Sequence, residues 1–359
     1  MKGDSGSRPI TKAFSNGGIG YLLGSSWVVL FIFLEIIVFS LASGAFFSME
    51  TVQLILFNGT EVFLLAIAEL FVIITGGIDL SVGFVMGFAT VVASKSIVAL
   101  SNVGLSPLLS ILLGAVLTIL VGLLPGLING WLVAYLRVPA FIATFAMLGV
   151  SHGVSELLTQ GIPTKNMPSL AGDIGNGSLL YIPPSGVWSF FSRPQVQRGQ
   201  HVWEIIPNMA VFSFIFIGIF AFVLKRTRFG RHLYAIGGNM DAAIRSGINV
   251  KHELVKTYII SSFFASLAGI TYVMKYITGK PDAGANMVLE AIAAVVIGGA
   301  SMAGGSGSVG RTILGALIIA ILETGLRIIG LQTFTTYVLV GVILIMAVII
   351  DQSFPSLKR

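Results

Sequence analysis

Stretches of about 20 apolar residues recur along this chain, and they constrain its fold more than any other feature. A helix of that length crosses the hydrocarbon core of a bilayer, where every backbone polar group must be satisfied within the protein. The chain has 359 residues, of which 55% are hydrophobic and only 10% are charged. A soluble domain carries about 25% charged residues. The sequence therefore predicts an all-α, polytopic bundle of membrane helices whose surface faces lipid.

Ten membrane spans are predicted from these stretches. The eighth is short and rich in glycine, which favours a broken or re-entrant helix within residues 285–311. An even number of spans puts both termini on the same side of the membrane. The predicted spans are Trp27–Phe47, Val52–Thr75, Val82–Leu100, Pro107–Leu124, Val138–Leu158, Asn208–Leu224, Lys256–Ile277, Leu289–Met302, Thr312–Gly330 and Phe334–Ile350.

The distribution of Lys and Arg predicts which side that is. If the N-terminus is inside, fourteen of the 21 basic residues fall in inner segments and six in outer segments. Inner loops of membrane proteins carry the excess of basic residues, so both termini are predicted to be cytoplasmic. The net charge of +6 follows from the same bias. Nucleic acid is not an expected partner, because no soluble segment interleaves basic and aromatic residues on one face.

One transmembrane domain, 27–351, is predicted between a cytoplasmic segment, 1–26, and a cytoplasmic tail, 352–359. The first segment lacks an apolar core followed by a cleavage site, so no removable signal peptide is expected. Two connections are long. The outer loop, 159–207, is rich in Pro, Gly and Ser, and the inner loop, 225–255, begins with a run of basic residues.

The inner loop also carries the signals of a short capped helix. Asn239 can cap its N-terminus, Asp241 lies in its first turn, and Gly247 can end it. A helix of about eight residues is unstable alone in water, so it requires a surface to pack on, such as a cytoplasmic partner. A purely topogenic loop is the alternative, because the basic run would suffice for orientation. The residues expected to face a partner are Ala242, Ala243, Ile244 and Arg245.

Two glycine patterns indicate turns or packing. Residues 305–310 have the form G-x-G-x-x-G, but they lie between apolar spans and lack the strand and the distant acid of a dinucleotide site. Gly122, Gly126 and Gly130 recur every four residues, a spacing that lets two membrane helices approach closely. The sequence contains no P-loop motif, no cysteine and no spacing typical of metal ligands. No cofactor or metal is therefore predicted.

Residues 75–83, with the sequence TGGIDLSVG, point to a solute route. Paired glycines between two apolar spans free the backbone, which then requires protein or water as a partner. Asp79 is costly in a bilayer unless it lines a cavity or finds a partner. A short cytoplasmic turn with Asp79 as a helix cap is the alternative. The residues predicted to line the route are Asn58, Thr75, Gly76, Gly77, Asp79, Ser81, Asn129 and Phe141.

Further acids in apolar stretches leave a second functional class open. An acid inside a membrane is by default a functional candidate, and several together would suit a proton- or sodium-coupled secondary transporter. A membrane-embedded enzyme is the third class, but the sequence has no nucleophile–base or metal arrangement. These acids are Glu35, Glu61, Glu69, Glu290 and Glu323.

The chain resembles the permease subunits of bacterial ABC importers for simple sugars, of the ribose, xylose and galactose type. Four sequence blocks, spread over most of the chain between residues 52 and 351, carry the resemblance. They are Ile74–Gly83 (ITGGIDLSVG), Gly126–Gly130 with Arg137–Thr144 (GLING and RVPAFIAT), Gly230–Asn239 with Ser246–Val250 (GRHLYAIGGN and SGINV), and Ala291–Gly305 (AIAAVVIGGASMAGG).

The resemblance implies a permease in the bacterial inner membrane that pairs with a second permease copy. It also implies a cytoplasmic ATP-binding subunit and an extracytoplasmic sugar-binding protein, so that ATP hydrolysis falls to another chain. The inner loop would then couple ATP hydrolysis to transport. The residues assigned to this coupling are Gly230, Arg231, Asn239, Asp241, Ala242, Ala243, Ile244, Arg245 and Gly247.

Two departures from the family pattern leave the identity of the solute open. Met287–Glu290 (MVLE) stands where the family usually has Tyr-Glu-Leu-Asp, and Glu323–Leu326 (ETGL) replaces the usual Asn-Asn-Gly-Leu. The outer loop is also longer than in compact ribose-type members. A nucleoside or a furanose signal molecule is the alternative solute.

Overall fold

A computed structural model of the chain describes residues 19–184, 186–196, 200, 202–331, 334–335, 337–339, 341–342 and 345–346. The described part is mostly helical, with three short strands. In chain order the elements are α1 (Ile19–Ala42), α2 (Met49–Ile74), α3 (Val82–Asn102), α4 (Pro107–Ala134), α5 (Ala140–Thr159), α6 (Ser169–Asn176), β1 (Leu180–Ile182), β2 (Ser189–Phe190), β3 (Trp203–Glu204), α7 (Asn208–Arg226), α8 (Arg228–Gly238), α9 (Met240–Arg245), α10 (Val250–Tyr276), α11 (Met287–Ile297) and α12 (Val309–Ile328).

Within the described residues, seven helices are long and apolar enough to cross a membrane: α2, α3, α4, α5, α7, α10 and α12. Shorter apolar helices are α11 and the part of α1 over Val28–Ala42. The 11 residues of α11 rise by about 16 Å, roughly half of a bilayer core of about 30 Å. The predicted eighth span is therefore a short helix. The predicted tenth span, Phe334–Ile350, lies largely outside the described residues, as do most of 1–26 and all of 352–359.

Two helices extend beyond their predicted ends. α4 continues past Leu124 through Pro125 to Ala134, because a proline is tolerated in a membrane helix whose neighbours satisfy the freed backbone group. α10 begins at Val250 instead of Lys256, and the side chain of Asn249 caps it by accepting from the backbone N of His252 at 3.2 Å. The added first turns of α10 contain charged residues, because a helix can be polar where it leaves the apolar core.

The centre of the bundle is α2. It packs against α10, α11 and α12, and from Gly59 to Ile74 every one of its residues is buried. A helix that is apolar all round belongs in an interior of this kind. By contrast, α4 and α5 leave rows of large apolar side chains exposed. In a membrane, such faces contact lipid or another protein.

The glycines of α4 allow α10 to pack closely against it. A Cβ atom at Gly122 would overlap the hydroxyl of Ser266, and one at Gly126 would overlap the carbonyl oxygen of Tyr258. At Gly130 it would lie 2.7 Å from Cα of Val255, closer than real Cβ atoms approach. The predicted role of these glycines in packing is confirmed.

The two ends of the bundle are distinct. At one end, β1 pairs antiparallel with β2 and β3 to form a three-stranded sheet of order β2-β1-β3. Gln53, near the start of α2, donates to the carboxylate of Glu204 in β3 at 3.2 Å. At the other end, the ring of Phe229 in α8 stacks on Phe71 near the end of α2, with centroids 6.3 Å apart. We refer to these as the sheet end and the α8 end.

We expect Gly126→Val to separate α4 from α10. A branched side chain there meets backbone atoms that cannot move aside, and overpacking of this kind costs about 1–3 kcal/mol. Gly149→Val is the matched control, because Gly149 is also helical and a Cβ atom there meets nothing within 4 Å. Thermal unfolding of the purified proteins in detergent measures the difference. Equal melting temperatures for the two variants would contradict the packing role.

Candidate functional site

The segment between α2 and α3 turns back into the bundle. After α2 ends, the hydroxyl of Thr75 donates to the carbonyl of Val72 at 2.7 Å. Gly76 then adopts a φ of +82°, a conformation that glycine reaches without strain. At Gly77 a Cβ atom would lie only 2.9 Å from the hydroxyl of Tyr258. The two glycines are therefore required by a left-handed turn and by close approach to α10.

Asp79 lies at the centre of this segment and is 1% exposed. One carboxyl oxygen accepts from the backbone N of Ser81 at 3.0 Å and from its hydroxyl at 2.5 Å. The other oxygen accepts from the hydroxyl of Ser261, near the middle of α10, at 2.7 Å. The backbone N of Asp79 donates to the carboxyl of Glu69 in α2 at 3.4 Å. Asp79 is therefore satisfied by protein donors inside the bundle.

Two more helices hold the same segment. The side-chain amide of Asn129 in α4 donates to the hydroxyl of Ser81 at 3.0 Å. The hydroxyl of Thr144 in α5 lies 3.2 Å from the backbone N of Leu80, which donates to it, and 3.2 Å from the carbonyl oxygen of Ile78. We call Glu69, Asp79, Ser81, Asn129, Thr144 and Ser261 the Asp79 network. It joins α2, α4, α5 and α10 through polar contacts.

The structure brings together only part of the predicted solute route. Asp79, Ser81 and Asn129 lie in the Asp79 network, and Thr75, Gly76 and Gly77 lead into it. Asn58 lies towards the sheet end of α2, where its amide donates to the hydroxyl of Thr324 at 3.4 Å. The ring of Phe141 is exposed and stacks on Phe145 with centroids 6.1 Å apart, so it does not provide an aromatic face inside the bundle.

Sequence reasoning did not identify Thr144 and Ser261 as site residues. Thr144 stands at the end of the RVPAFIAT block, and Ser261 is a polar residue within an apolar span. Both residues are polar side chains in apolar surroundings, which is a signal that the sequence contains. Serine and threonine are nevertheless common in membrane helices, where their hydroxyls bond to the preceding turn. Only the tertiary contact with Asp79 or its neighbours distinguishes these two.

Several buried polar atoms in and beside this network lack partners among the described residues. They include one carboxyl oxygen of Glu69, the amide oxygen of Asn129 and the hydroxyl of Ser262. A buried polar atom without a partner costs about 1–3 kcal/mol and is uncommon in native structures. The network therefore has unused hydrogen-bonding capacity, which water, a solute or a second conformation can satisfy.

Helix α8 contacts two segments at the α8 end of the bundle: the end of α2 and the turn before α12. The hydroxyl of Tyr234 donates to the carbonyl of Gly307, in the turn before α12, at 2.8 Å. Burial raises the pKa of Tyr234, so this hydroxyl stays protonated as a donor. A Cβ atom at Gly237 would overlap the carbonyl of Ile74, which itself accepts from the backbone N of Gly305 at 2.9 Å. Helix α8 is therefore packed directly against the end of α2.

The predicted capped helix in the inner loop is α9. Its N-cap, Asn239, accepts from the backbone N of Ala242 at 2.9 Å, and the chain leaves it through Gly247 with a φ of +82°. Helix α8 was not predicted separately, although its apolar residues at 229, 233 and 236 follow helical spacing. Gly230 has a packing role there, since a Cβ atom would overlap the carbonyl of Leu224.

The expected partner contact of Ala243 is wrong in one respect. Its side chain is 3% exposed and packs against residues of the chain itself, including Ile236 and Leu254. It therefore cannot enter a groove on another protein. Of the four residues expected to face a partner, Ile244, at 55% exposed, and Arg245 are exposed, and Ala242 is half-buried.

The chain is similar in sequence to known membrane permeases. Residues 51–348 match the sequence profile of the family described as the permease component of the branched-chain amino acid transport system. The ribose import permease protein of Bacillus subtilis (strain 168) is 36% identical over 80% of this chain and 80% of its own length. The xylose transport system permease protein of Haemophilus influenzae is 35% identical over 88% and 92%. The ribose import permease protein of Escherichia coli K12 is 33% identical over 97% of both chains. No solved structure matches the chain.

We expect Ser261→Ala to destabilise the protein more than Ser262→Ala. The first substitution removes a donor to the buried carboxyl of Asp79, which costs about 1–3 kcal/mol. The second removes a hydroxyl that has no partner among the described residues, so it serves as the matched control on the same helix. Chemical or thermal unfolding in detergent measures both, and equal stabilities would contradict the assignment of Ser261 to the network.

Proposed function

Because the chain belongs to the family of transport-system permease components, we propose that it is the membrane permease of an ATP-driven importer for a simple sugar. The observation that carries the proposal is similarity to a ribose import permease over 97% of both chains. The similarity to xylose permeases supports the wider class of pentoses and hexoses. As a permease, the chain is a transport subunit and not an enzyme.

The proposed arrangement in the membrane follows the sequence. The permease crosses the bacterial inner membrane about ten times, has both termini in the cytoplasm, and forms a dimer with a second copy. The exposed apolar faces of α4 and α5 support contacts with lipid and with that copy. A cytoplasmic ATP-binding subunit attaches at the α8 end, and an extracytoplasmic sugar-binding protein attaches at the sheet end.

The proposed solute route runs along the Asp79 network. Its unpartnered acceptors can take hydrogen bonds from sugar hydroxyls, and a weak, replaceable set of contacts lets a solute leave as readily as it enters. The segment 75–81 is held to its neighbours by side-chain hydrogen bonds, so it can rearrange without disrupting a helix. These features support assigning Thr75, Gly76, Gly77, Asp79, Ser81 and Asn129 to the route.

The proposed coupling runs from α9 through α8 to this route. A nucleotide-dependent movement of the partner would push on Ile244 and Arg245, and α8 would move with α9. Because Gly237 and Tyr234 hold α8 against Ile74 and Gly307, the end of α2 and the turn before α12 would follow. The segment 75–81 begins at that end of α2, so the movement would be transmitted directly to the solute route.

A secondary transporter is the second candidate, and the buried acids are the observation that favours it. Yet one of these acids, Glu61, is engaged in a buried ion pair with Lys275 at 2.8 Å, a contact that joins α2 to α10. A nucleoside or furanose signal molecule remains the alternative solute for the importer.

We expect uptake of ribose or xylose by the reconstituted complex to require ATP and to persist when the proton and sodium gradients are collapsed. The complex contains this chain, its ATP-binding subunit and its sugar-binding protein, and radiolabelled sugar in proteoliposomes is measured. A complex whose ATP-binding subunit cannot hydrolyse ATP is the control. Uptake that follows an ion gradient and ignores ATP would favour the secondary transporter.

We expect Ile244→Glu to abolish most sugar uptake. The variant should still insert into the membrane and keep the melting temperature of the unsubstituted permease. The charge falls on an exposed apolar residue, so it weakens contact with the partner without disturbing the fold. Ile244→Leu keeps an apolar side chain at the same exposed position and is the control. ATP hydrolysis and sugar uptake are measured together. Parent-like coupling in the Ile244 variant would show that the inner loop serves topology only.

A further inference from the structure

A second polar cluster lies two turns along α2 from the Asp79 network, towards the sheet end. The ammonium of Lys275 donates to the carboxylate of Glu61 at 2.8 Å and to the carbonyl of Phe57 at 2.5 Å. It also lies 4.2 Å from the centroid of the Phe57 ring. The side chains of Lys275 and Glu61 are 0% and 1% exposed. Burying an ion pair carries a large desolvation cost.

Two more acids come together beside this pair. Helices α11 and α12 run antiparallel, so Glu290 and Glu323 lie close enough for the charge of each to act on the other. The close approach depends on Gly315, where a Cβ atom would overlap the carbonyl of Ala294. Glu323 is also near enough to Glu61 and to Arg327 for their charges to act on it. Acids from α2, α11 and α12 therefore lie in the same region of the bundle, although the described residues hold no group of three acids close enough to bind a metal ion.

The cluster has an acceptor that nothing in the described chain uses. One carboxyl oxygen of Glu61 is buried and has no hydrogen-bond partner among the described residues. Asn58 lies one turn away on the same face of α2, and among the described residues its side chain makes only a long bond of 3.4 Å to Thr324. Its amide therefore has donor and acceptor capacity to spare. A buried acceptor without a partner, next to an amide with spare hydrogen-bonding groups, indicates a ligand that both donates and accepts hydrogen bonds.

Exposure increases from this acceptor outwards. Glu61 and Glu290 are buried, Asn58 and Glu323 are half-buried, and Arg327 is exposed. The cluster is therefore open towards the sheet end, where α12 ends and the outer loop lies. A solute that reaches the sheet end meets Asn58 and Glu323 before it meets Glu61.

We propose that Asn58, Glu61, Glu290 and Glu323 form a solute-selecting subsite that hydrogen bonds to the hydroxyl groups of a neutral polyhydroxylated solute. The proposal rests on the proposed function and assigns selectivity to residues of the permease itself. Lys275 and Arg327 offset two of the three acids and leave at most one negative charge, and the described residues hold no cluster of three side chains placed to bind a metal ion. Carboxyl groups and an amide instead match the donors and acceptors of sugar hydroxyls.

The position of the subsite gives it a place in the transport sequence. Glu61 and Glu69 lie eight residues apart on α2, a spacing that keeps both on one helical face. Glu69 belongs to the Asp79 network, so the subsite and the network follow each other along the same buried helix. A solute is selected at the first and released through the second.

The test compares a transported sugar with its monodeoxy derivatives, using the assembled complex with the sugar-binding protein saturated by each. Saturation removes the binding protein's affinity from the comparison, so the ratio of maximal uptake rates reports the permease. A lost hydrogen bond to a charged group corresponds to a factor of about ten or more. We expect Glu323→Gln to reduce discrimination against at least one deoxy sugar by about tenfold. Glu156→Gln, at an exposed acid of α5, should leave every ratio unchanged.

A second measurement covers the case in which Glu323→Gln does not assemble. The chain contains no cysteine, so Asn58→Cys introduces a single thiol at the mouth of the subsite. We expect a water-soluble thiol reagent to modify it, and the transported sugar to slow that modification several-fold. A sugar that the complex does not transport should have no effect.

The outcomes separate this inference from the function on which it rests. If the parent complex moves no sugar with ATP, the proposed function fails. If the parent moves sugar, and the Glu323 variant keeps its uptake ratios or the Asn58→Cys thiol is insensitive to the sugar, only the subsite is overturned.

Discussion

Polar groups inside an apolar membrane bundle must find partners within the protein, because lipid offers none. In this chain the requirement applies above all to Asp79, which lies inside the bundle just after the Gly-Gly turn that follows α2. Its carboxyl group is satisfied by Ser81 and Ser261, and the segment around it by Asn129 and Thr144. The positions of α4, α5 and α10 around α2 follow from these contacts.

Close packing makes those contacts possible. The stripe of glycines on α4 brings α10 near enough for one polar segment to bridge both helices. Van der Waals packing and interhelical hydrogen bonds, and not the hydrophobic effect, hold membrane helices together. The Asp79 network therefore lies where α2, α4, α5 and α10 meet, so a change in its partners affects contacts with all four helices. Its unpartnered oxygens leave room for such a change.

Features that depend on local sequence were predictable. The apolar runs gave the long helices, Asn239 and Gly247 gave the limits of α9, and the spacing of Gly122, Gly126 and Gly130 gave a close helix contact. The expectation that Asp79 requires a partner also holds, because its carboxyl is buried and fully engaged.

Features that depend on tertiary contacts were not predictable. Ala243 is a small residue on a short amphipathic helix, and nothing local distinguishes the face that packs on Leu254 from the face that meets a partner. The strands β1 to β3 have two or three residues each, too few for a periodic pattern. The meeting of Glu61, Glu290 and Glu323 requires the antiparallel packing of α11 and α12, which sequence spacing does not reveal.

The central claim is that the Asp79 segment lines the solute route in at least one transport state. Ser81→Cys tests it directly, since the residue is fully buried here and the chain has no other thiol. Ser94→Cys is the control, because Ser94 is an equally buried serine within α3, the helix that begins directly after Ser81. The thiols are exposed to a water-soluble reagent in the assembled complex without nucleotide, with bound ATP and during turnover. We predict that Ser81→Cys reacts in one of these states while Ser94→Cys reacts in none. A Ser81→Cys complex that transports sugar but resists the reagent in every state would contradict the account.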